Sequence, residues 1–317
     1  MPALAGCFVL LANGSEGFLP DSAAPAGVSA GDAVSVRVVR AAQGGKGPRL
    51  TDAVLVPPGA PALLERGPGA VERLTALHPT APVNVEGAAL YAALRPVLGD
   101  RLRKAAFPSA LAESVEALGH PAAVLAGGVR ASFHPTPALV AVDLDTAAAT
   151  ADRRGKEAGQ LALNRAVLPG LARHLRARNL SGAVVVDLAG LSPKRRRALA
   201  PDFSAALAPD PVGARFLGFT ALGLAEIVRT RVHPPLHEML AGPHAAALRA
   251  ARAWVREAAA RPGAVPALHA ALDVHAALAG DTATMADLAD ALGHPPMVVL
   301  DPALPPGAWS LEDHRRA

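Results

Sequence analysis

The sequence contains one cysteine, Cys7, in 317 residues. No disulfide can close within it, and no thiolate zinc site of the usual kind can form. Such usage fits a reducing, cytoplasmic compartment. Long apolar runs are also missing. None reaches the ~18 residues of a membrane span, so no membrane partner is expected. The first eight residues, Met-Pro-Ala-Leu-Ala-Gly-Cys-Phe, have no basic segment, and Asn13 to Glu16 interrupt the apolar stretch, which argues against a signal peptide. There is no Walker-type phosphate loop, only the lone pairs Gly44-Gly45 and Gly127-Gly128. Ser192 and the scattered histidines form no nucleophile arrangement. His233 and His237 are four apart, as helical zinc ligands can be, but Pro234 and Pro235 lie between them and no third ligand matches. Aromatics are 3% of the chain, so Phe8 and Phe18 stand out. Exposed, such rings stack on bases; inward-facing, they fill a small core.

What is present is an apolar majority of 51%, dominated by Ala, with enough length for two or three domains of ~100–200 residues. The net charge is +4 and the pI about 9.8. Basic residues cluster at Arg101, Arg103 and Lys104; at Arg153, Arg154 and Lys156; at Arg173, Arg176 and Arg178; and from Lys194 to Arg197. These clusters can neutralise phosphates, but for any single one an ordinary solvated surface is the favoured reading.

Residues 1–56 read as short strands with Gly-rich turns, the pattern of a small barrel. Ala33 to Val39 alternates, Asn13-Gly14 marks a turn, and Gln43 to Gly47 is a basic loop. Residues 57–118 read as mostly helical, with helical spacing over Glu86 to Leu98 and Ser109 to Leu118. Residues 119–240 hold a β-α-β unit. Ala138 to Asp143 is an apolar strand ending in an acid, a helix runs from about Glu157 to Arg178, and Ala183 to Asp187 is a second such strand. Pro169-Gly170 predicts a kink or a break in that helix. Residues 241–317 read as a small Ala-rich helical domain with a weak strand at Met297 to Leu300. The expected class is α/β.

In a β-α-β unit the strands are parallel, so Asp143 and Asp187 both fall at carboxyl ends, where α/β sheets place their sites. Two neighbouring carboxylates repel each other, and Mg²⁺ relieves that repulsion with hard oxygen ligands. Asp145 shares the face of Asp143 if the strand continues. The same pattern also fits acids merely solvated at strand ends.

Several segments, in order, resemble the bacterial ribonuclease E/G family. Phe8-Val9 with Gly17-Phe18-Leu19-Pro20 resembles the OB-fold segment in which two phenylalanines contact RNA. Gly45-Lys46-Gly47-Pro48-Arg49-Leu50-Thr51 resembles the stretch whose lysine also lies at RNA. Ala138 to Asp143 resembles the strand carrying the first catalytic aspartate, and Asn164 matches one asparagine of the family's Asn-Thr-Asn-Leu-Glu motif. Ala172 to Gly182 and the strand to Asp187 resemble the path to the second aspartate. Leu217 to Glu226, with Arg229 and Arg231, resembles the family segment downstream of that aspartate.

The resemblance implies a truncated OB-like barrel (1–56) lacking its first strand and a helical remnant of the ribonuclease-H-like region (57–118). It implies a deoxyribonuclease-I-like catalytic domain (119–240) and a small C-terminal domain (241–317). The implied activity is Mg²⁺-dependent cleavage of single-stranded RNA. Asp143 and Asp187 would hold the metal and Asp145 would orient a ligand or water. Phe8, Phe18 and Lys46 would hold RNA, with Arg173, Arg176, Arg229 and Arg231 as phosphate contacts. The alternative is a non-catalytic RNA-binding derivative. Departures from the family pattern are Asp145 for asparagine, Gly190 for an acid, and Pro137 for a glutamate. The span between Thr51 and Tyr91 is too short for the family's 5′-end sensor, and the Cys zinc link is absent, so no zinc-linked dimer is expected.

Overall fold

The computed structural model describes residues 5–145, 153–261 and 266–313. The chain divides into two compact units, residues 1–234 and 235–317. The division falls at Pro234/Pro235, ahead of the boundary near residue 240 expected from the sequence.

The first unit opens with strands β1 (Gly6–Leu10), β2 (Glu16–Pro20), β3 (Val34–Arg40) and β4 (Arg49–Leu55), in the order β1-β2-β4-β3. β1 and β2 form a hairpin across Asn13-Gly14, where Gly14 takes the positive φ that the turn requires. β2 meets β4 through a single parallel pair, Phe18 with Arg49. The sheet is open, and no closed barrel occurs among the described residues. Among those residues Leu19 and Leu50 are its only fully buried hydrophobic side chains, too few to fill a barrel interior.

Next come α1 (Ala70–Leu77), β5 (Val83–Val85), α2 (Ala88–Leu98), β6 (Leu102–Lys104) and α3 (Ser109–Ala117). β5 and β6 pair in parallel. Val85, Leu98 and Leu102 form a small core with Val71, Tyr91 and Leu94.

The main sheet has six strands among the described residues: β7 (Ala122–Val124), β8 (Arg130–Pro135), β9 (Leu139–Asp145), β10 (Gly182–Asp187), β11 (Arg215–Phe219) and β12 (Ala225–Arg229). Their order is β11-β12-β10-β9-β8-β7. Of these pairings only that of β9 with β10 is parallel, and α4 (Arg153–Ala177) joins the two strands. Helix α4 lays Val167, Leu168, Leu171, Ala172 and Leu175 into the same buried cluster as Val140, Val142, Val184 and Val186. Each buried aliphatic side chain is worth ~1.5–3 kcal/mol. That burial outweighs the ~3 kcal/mol cost of an interior proline, so the expected break at Pro169 is absent and α4 is one continuous helix. Just past its end at Ala177, Asn179 takes φ 50° and Leu180 N–H donates back to Leu175 O. Short helices α5 (Pro193–Arg197) and α6 (Ala200–Leu207) come after β10.

The second unit comprises α7 (Leu236–Ala241), α8 (Pro243–Ala260), β13 (Pro266–Ala270), α9 (Leu272–Ala279), α10 (Thr282–Leu292), β14 (Val298–Leu300) and β15 (Trp309–Asp313). β13 lies between parallel β14 and antiparallel β15. Trp254, Leu268, Val274, Leu278 and Leu288 form its core. Strands β13 and β15 are not evident from the sequence; Pro-Ala-Leu-His-Ala has no β-branched residue to mark it. No described helix is long and apolar enough to cross a membrane.

Candidate functional site

Strand β9 alternates strictly. Val140, Val142 and Leu144 are buried, while Asp143 and Asp145 are exposed on the other face. In β10, Val184 and Val186 are buried and Asp187 is exposed. The parallel register places Asp187 opposite Asp143. Neighbouring strands lie ~4.8 Å apart, so the two carboxylates leave one face at one edge as close neighbours. They line an open depression of about 310 Å³ together with Asp145, Gly190 and Arg196. Asp145 sits two residues along β9, ~6–7 Å from Asp143. Among the described residues no three carboxylate, imidazole or thiol side chains converge as a metal-ligand set. The donors are therefore a carboxylate pair with open solvent beside it. That fits Mg²⁺, which often takes one or two carboxylates and keeps several waters.

Arg196 enters this site from α5, and in the sequence its role is hidden inside a run of basic residues. Nη1 donates to Asp187 Oδ1 (3.0 Å) and to Gly223 O (2.8 Å). Nε donates to Leu191 O (2.8 Å) and Nη2 to Leu188 O (3.1 Å). Behind the pair, Asn164 is buried in α4 and its Nδ2 donates to Ala189 O (3.0 Å), tying the helix to the loop after Asp187. Gly190 takes φ 61°, and a side chain there would collide with the Gln160 amide. A side chain at that position would have to displace the Gln160 amide and adopt a left-handed backbone that glycine takes most readily.

The other predicted residues lie elsewhere. Arg229 pairs with Gly182 at the opposite end of β10, ~17 Å from Asp187 along the strand. It is buried: Nε donates to Asp210 Oδ2 (2.8 Å), and Nη1 donates to Asn179 Oδ1, Ser181 Oγ and Leu180 O. The expectation that Arg229 contacts phosphate is corrected, because its guanidinium is enclosed and serves the fold. Arg231 lies against Gly182, where any side chain would strike its guanidinium. Arg173 and Arg176 fall in the last turns of α4, nine or more residues (~13 Å) beyond Asn164, and are not brought to the aspartates. The ring of His174 between them packs on Phe133. Burial, then the charges of Arg178 and Arg173, push its pKa below the ordinary imidazole value.

On the first sheet Phe8 is 55% exposed and meets the half-buried Phe18 edge to face at 5.8 Å. The Arg49 guanidinium lies 6.0 Å from the Phe18 ring. Lys46 is exposed on a loop closed by paired backbone bonds with Gln43. Arg40 is a further cation that sequence patterning does not single out. It pairs across the strands with Arg49, and Ala41 N–H donates to Val232 O (2.9 Å), which brings Arg40 beside Arg231. Burial, then the like charges of Arg49 and Arg231, lower its pKa. Cross-strand arginines at β3 and β4 are visible in the sequence only once the register is known.

Residues 105–232 match the model of the ribonuclease E/G family. The chain is 31% identical to ribonuclease G of Escherichia coli over 106 residues, 33% of this chain and 22% of that protein. It is 30% identical to ribonuclease E of Nostoc sp. over 108 residues, 34% of this chain and 16% of that protein. With ribonuclease E of Haemophilus influenzae it shares 34% over 106 residues, 32% of this chain and 11% of that protein. The chain thus matches about a fifth or less of the length of these relatives. The matched segment contains the main sheet, with Asp143 and Asp187 at its edge, and it is this segment of the chain that is similar to the ribonuclease E/G family.

Proposed function

We propose that this chain is a cytoplasmic, Mg²⁺-dependent endoribonuclease acting on single-stranded RNA. One observation carries the reading: two exposed aspartates stand in direct register at the carboxyl ends of the parallel strand pair of the main sheet, inside the family-matched segment. Asp143 and Asp187 hold the ion. When bound, such an ion polarises a phosphodiester and helps to ionise water. Asp145 faces the same depression and orients water by accepting a hydrogen bond. Phe8 and Phe18 offer stacking faces, and Lys46, Arg49, Arg40 and Arg231 supply positive charge along one path between the first sheet and the start of β10. Arg173 and Arg176 belong to a separate basic patch.

In this reading residues 1–56 are an OB-derived RNA-binding sheet and 57–118 a remnant of the ribonuclease-H-like region. The main sheet is the catalytic domain, with a small C-terminal domain after it, and no zinc-linked dimer forms. The test is incubation of the pure chain with labelled single-stranded RNA, with Mg²⁺ and with chelator. Cleavage that requires Mg²⁺ and disappears in Asp143→Asn and Asp187→Asn supports the proposal. A second reading, RNA binding without catalysis, is favoured by Arg196 on Asp187 and by the bare Gly190. Undiminished RNA binding with no cleavage by the intact chain under any divalent ion would select it.

A further inference from the structure

We infer that Arg196 is a built-in counter-ion of the aspartate pair and sets how tightly that pair takes a divalent cation. The inference rests on the metal reading above and goes beyond it. A guanidinium stays charged throughout the working pH range. Here it bonds one carboxylate oxygen of Asp187 and three main-chain carbonyls, those of Leu188, Leu191 and Gly223. Asp187 ends β10, Leu188 and Leu191 lie in the loop before α5, and Gly223 lies in the turn before β12. The Arg196 side chain is 15% exposed, whereas Asp187 is 53% exposed. Gly223, at φ 86°, has no side chain that would press on Arg196 Cδ and Nη1.

The arginine is therefore braced. Swinging it away from Asp187 would leave partly buried carbonyls without donors, at a cost for each. An arriving dication finds Asp187 with one oxygen engaged and a fixed positive charge a few ångströms away. The negative charge of the pair is already half neutralised. Like charges this close, in a site only partly open to water, repel appreciably. The natural protein then holds its divalent ion loosely, and removal of the guanidinium tightens the site.

The test is Mn²⁺ binding to the full chain, monitored by electron paramagnetic resonance, for the natural protein, Arg196→Gln, Arg196→Lys and Asp143→Asn. Circular dichroism checks that each variant is folded. Arg196→Gln should bind Mn²⁺ about tenfold more tightly. Arg196→Lys, which keeps the charge, should stay near the natural value, and Asp143→Asn should lose binding. Folded Arg196→Gln that binds no more tightly overturns the inference and leaves Arg196 as a brace for the loop.

Should Arg196→Gln fail to fold, the natural protein still decides. The Arg196 Nε–H resonance should shift as Mg²⁺ is added and saturate with it, and should not shift in Asp143→Asn. Mg²⁺ binding that leaves this resonance unmoved overturns the inference. Absence of Mn²⁺ binding in every form, including folded Arg196→Gln, sinks the metal reading itself. Equal binding with and without Arg196 sinks only the counter-ion role.

Discussion

Strand β10 carries an arginine–aspartate pair at each end, and the two pairs are built differently. At its start Arg229 and Asp210 are 4% and 2% exposed, and the guanidinium also reaches Asn179, Leu180 and Ser181. At its finish Arg196 and Asp187 are 15% and 53% exposed, and the aspartate faces an open depression beside Asp143. The first pair is sealed, with its partners coming from several points in the chain, so it fixes where α4, β10 and β12 meet. The second leaves a carboxylate half in water. Enclosure, more than residue type, separates a charge pair closed into the fold from one left open to solvent.

The sharpest way to break this comparison is Arg229→Met. It leaves Asp210 buried without its partner, and should cost about 3–5 kcal/mol in urea denaturation. Replacing Asp210 by Leu as well should recover much of that loss. If Arg229→Met left stability intact but weakened RNA binding, the enclosed pair would be functional after all and the contrast would fail.

At the other end, Asp187→Asn and Asp143→Asn should each lower Mg²⁺-dependent cleavage at least about a hundredfold, with little change in the unfolding midpoint. Equal loss of stability in these variants would place them with Arg229. Phe8→Ala should weaken single-stranded RNA binding by ~1–3 kcal/mol without destabilising the chain, because the ring is already more than half exposed. Lys46→Ala should lower the slope of log affinity against log salt by about one contact, uniformly across sequences.

The smallest effect concerns pH. His174 has a folded pKa below its unfolded value, so at acid pH the unfolded chain binds the extra proton first. The contribution of this group to stability is therefore full above about pH 6.5 and declines as pH falls from there toward the folded pKa. His174→Phe should flatten stability against pH across that window. An unchanged profile would show that the ring is solvated in the fold.

The β-α-β unit is legible in the sequence because its signals are local. Two runs of branched apolar residues end in acids, and one helix-length segment of periodic leucines lies between them. The parallel direction of the two strands comes from that order, whereas the register that sets Asp187 opposite Asp143 comes from the pairing itself. The first sheet is legible as strands but not as an open sheet, since closure depends on whether distant edges pair and on how many side chains fill the interior. Of the kink or break expected at Pro169 the break does not occur, a local rule overridden by the buried face of α4. Strand β13 carries no propensity signal, and its place between β14 and β15 comes from pairing across tens of residues of chain.

By itself, then, the sequence determined the α/β class, the pairing of two aspartates and the presence of two phenylalanines and a lysine near the N-terminus. These rest on alternation and spacing, which short segments carry alone. Only the tertiary structure decided which arginines were free to meet a ligand. Arg229 and Arg196 look alike in a sequence. One is closed in by Asp210, Asn179 and Ser181, and the other is set on Asp187 by carbonyls of the loop after β10 and of the turn before β12. Solvation and partner geometry fix what a charge does, and both arise from contacts between residues far apart in the chain.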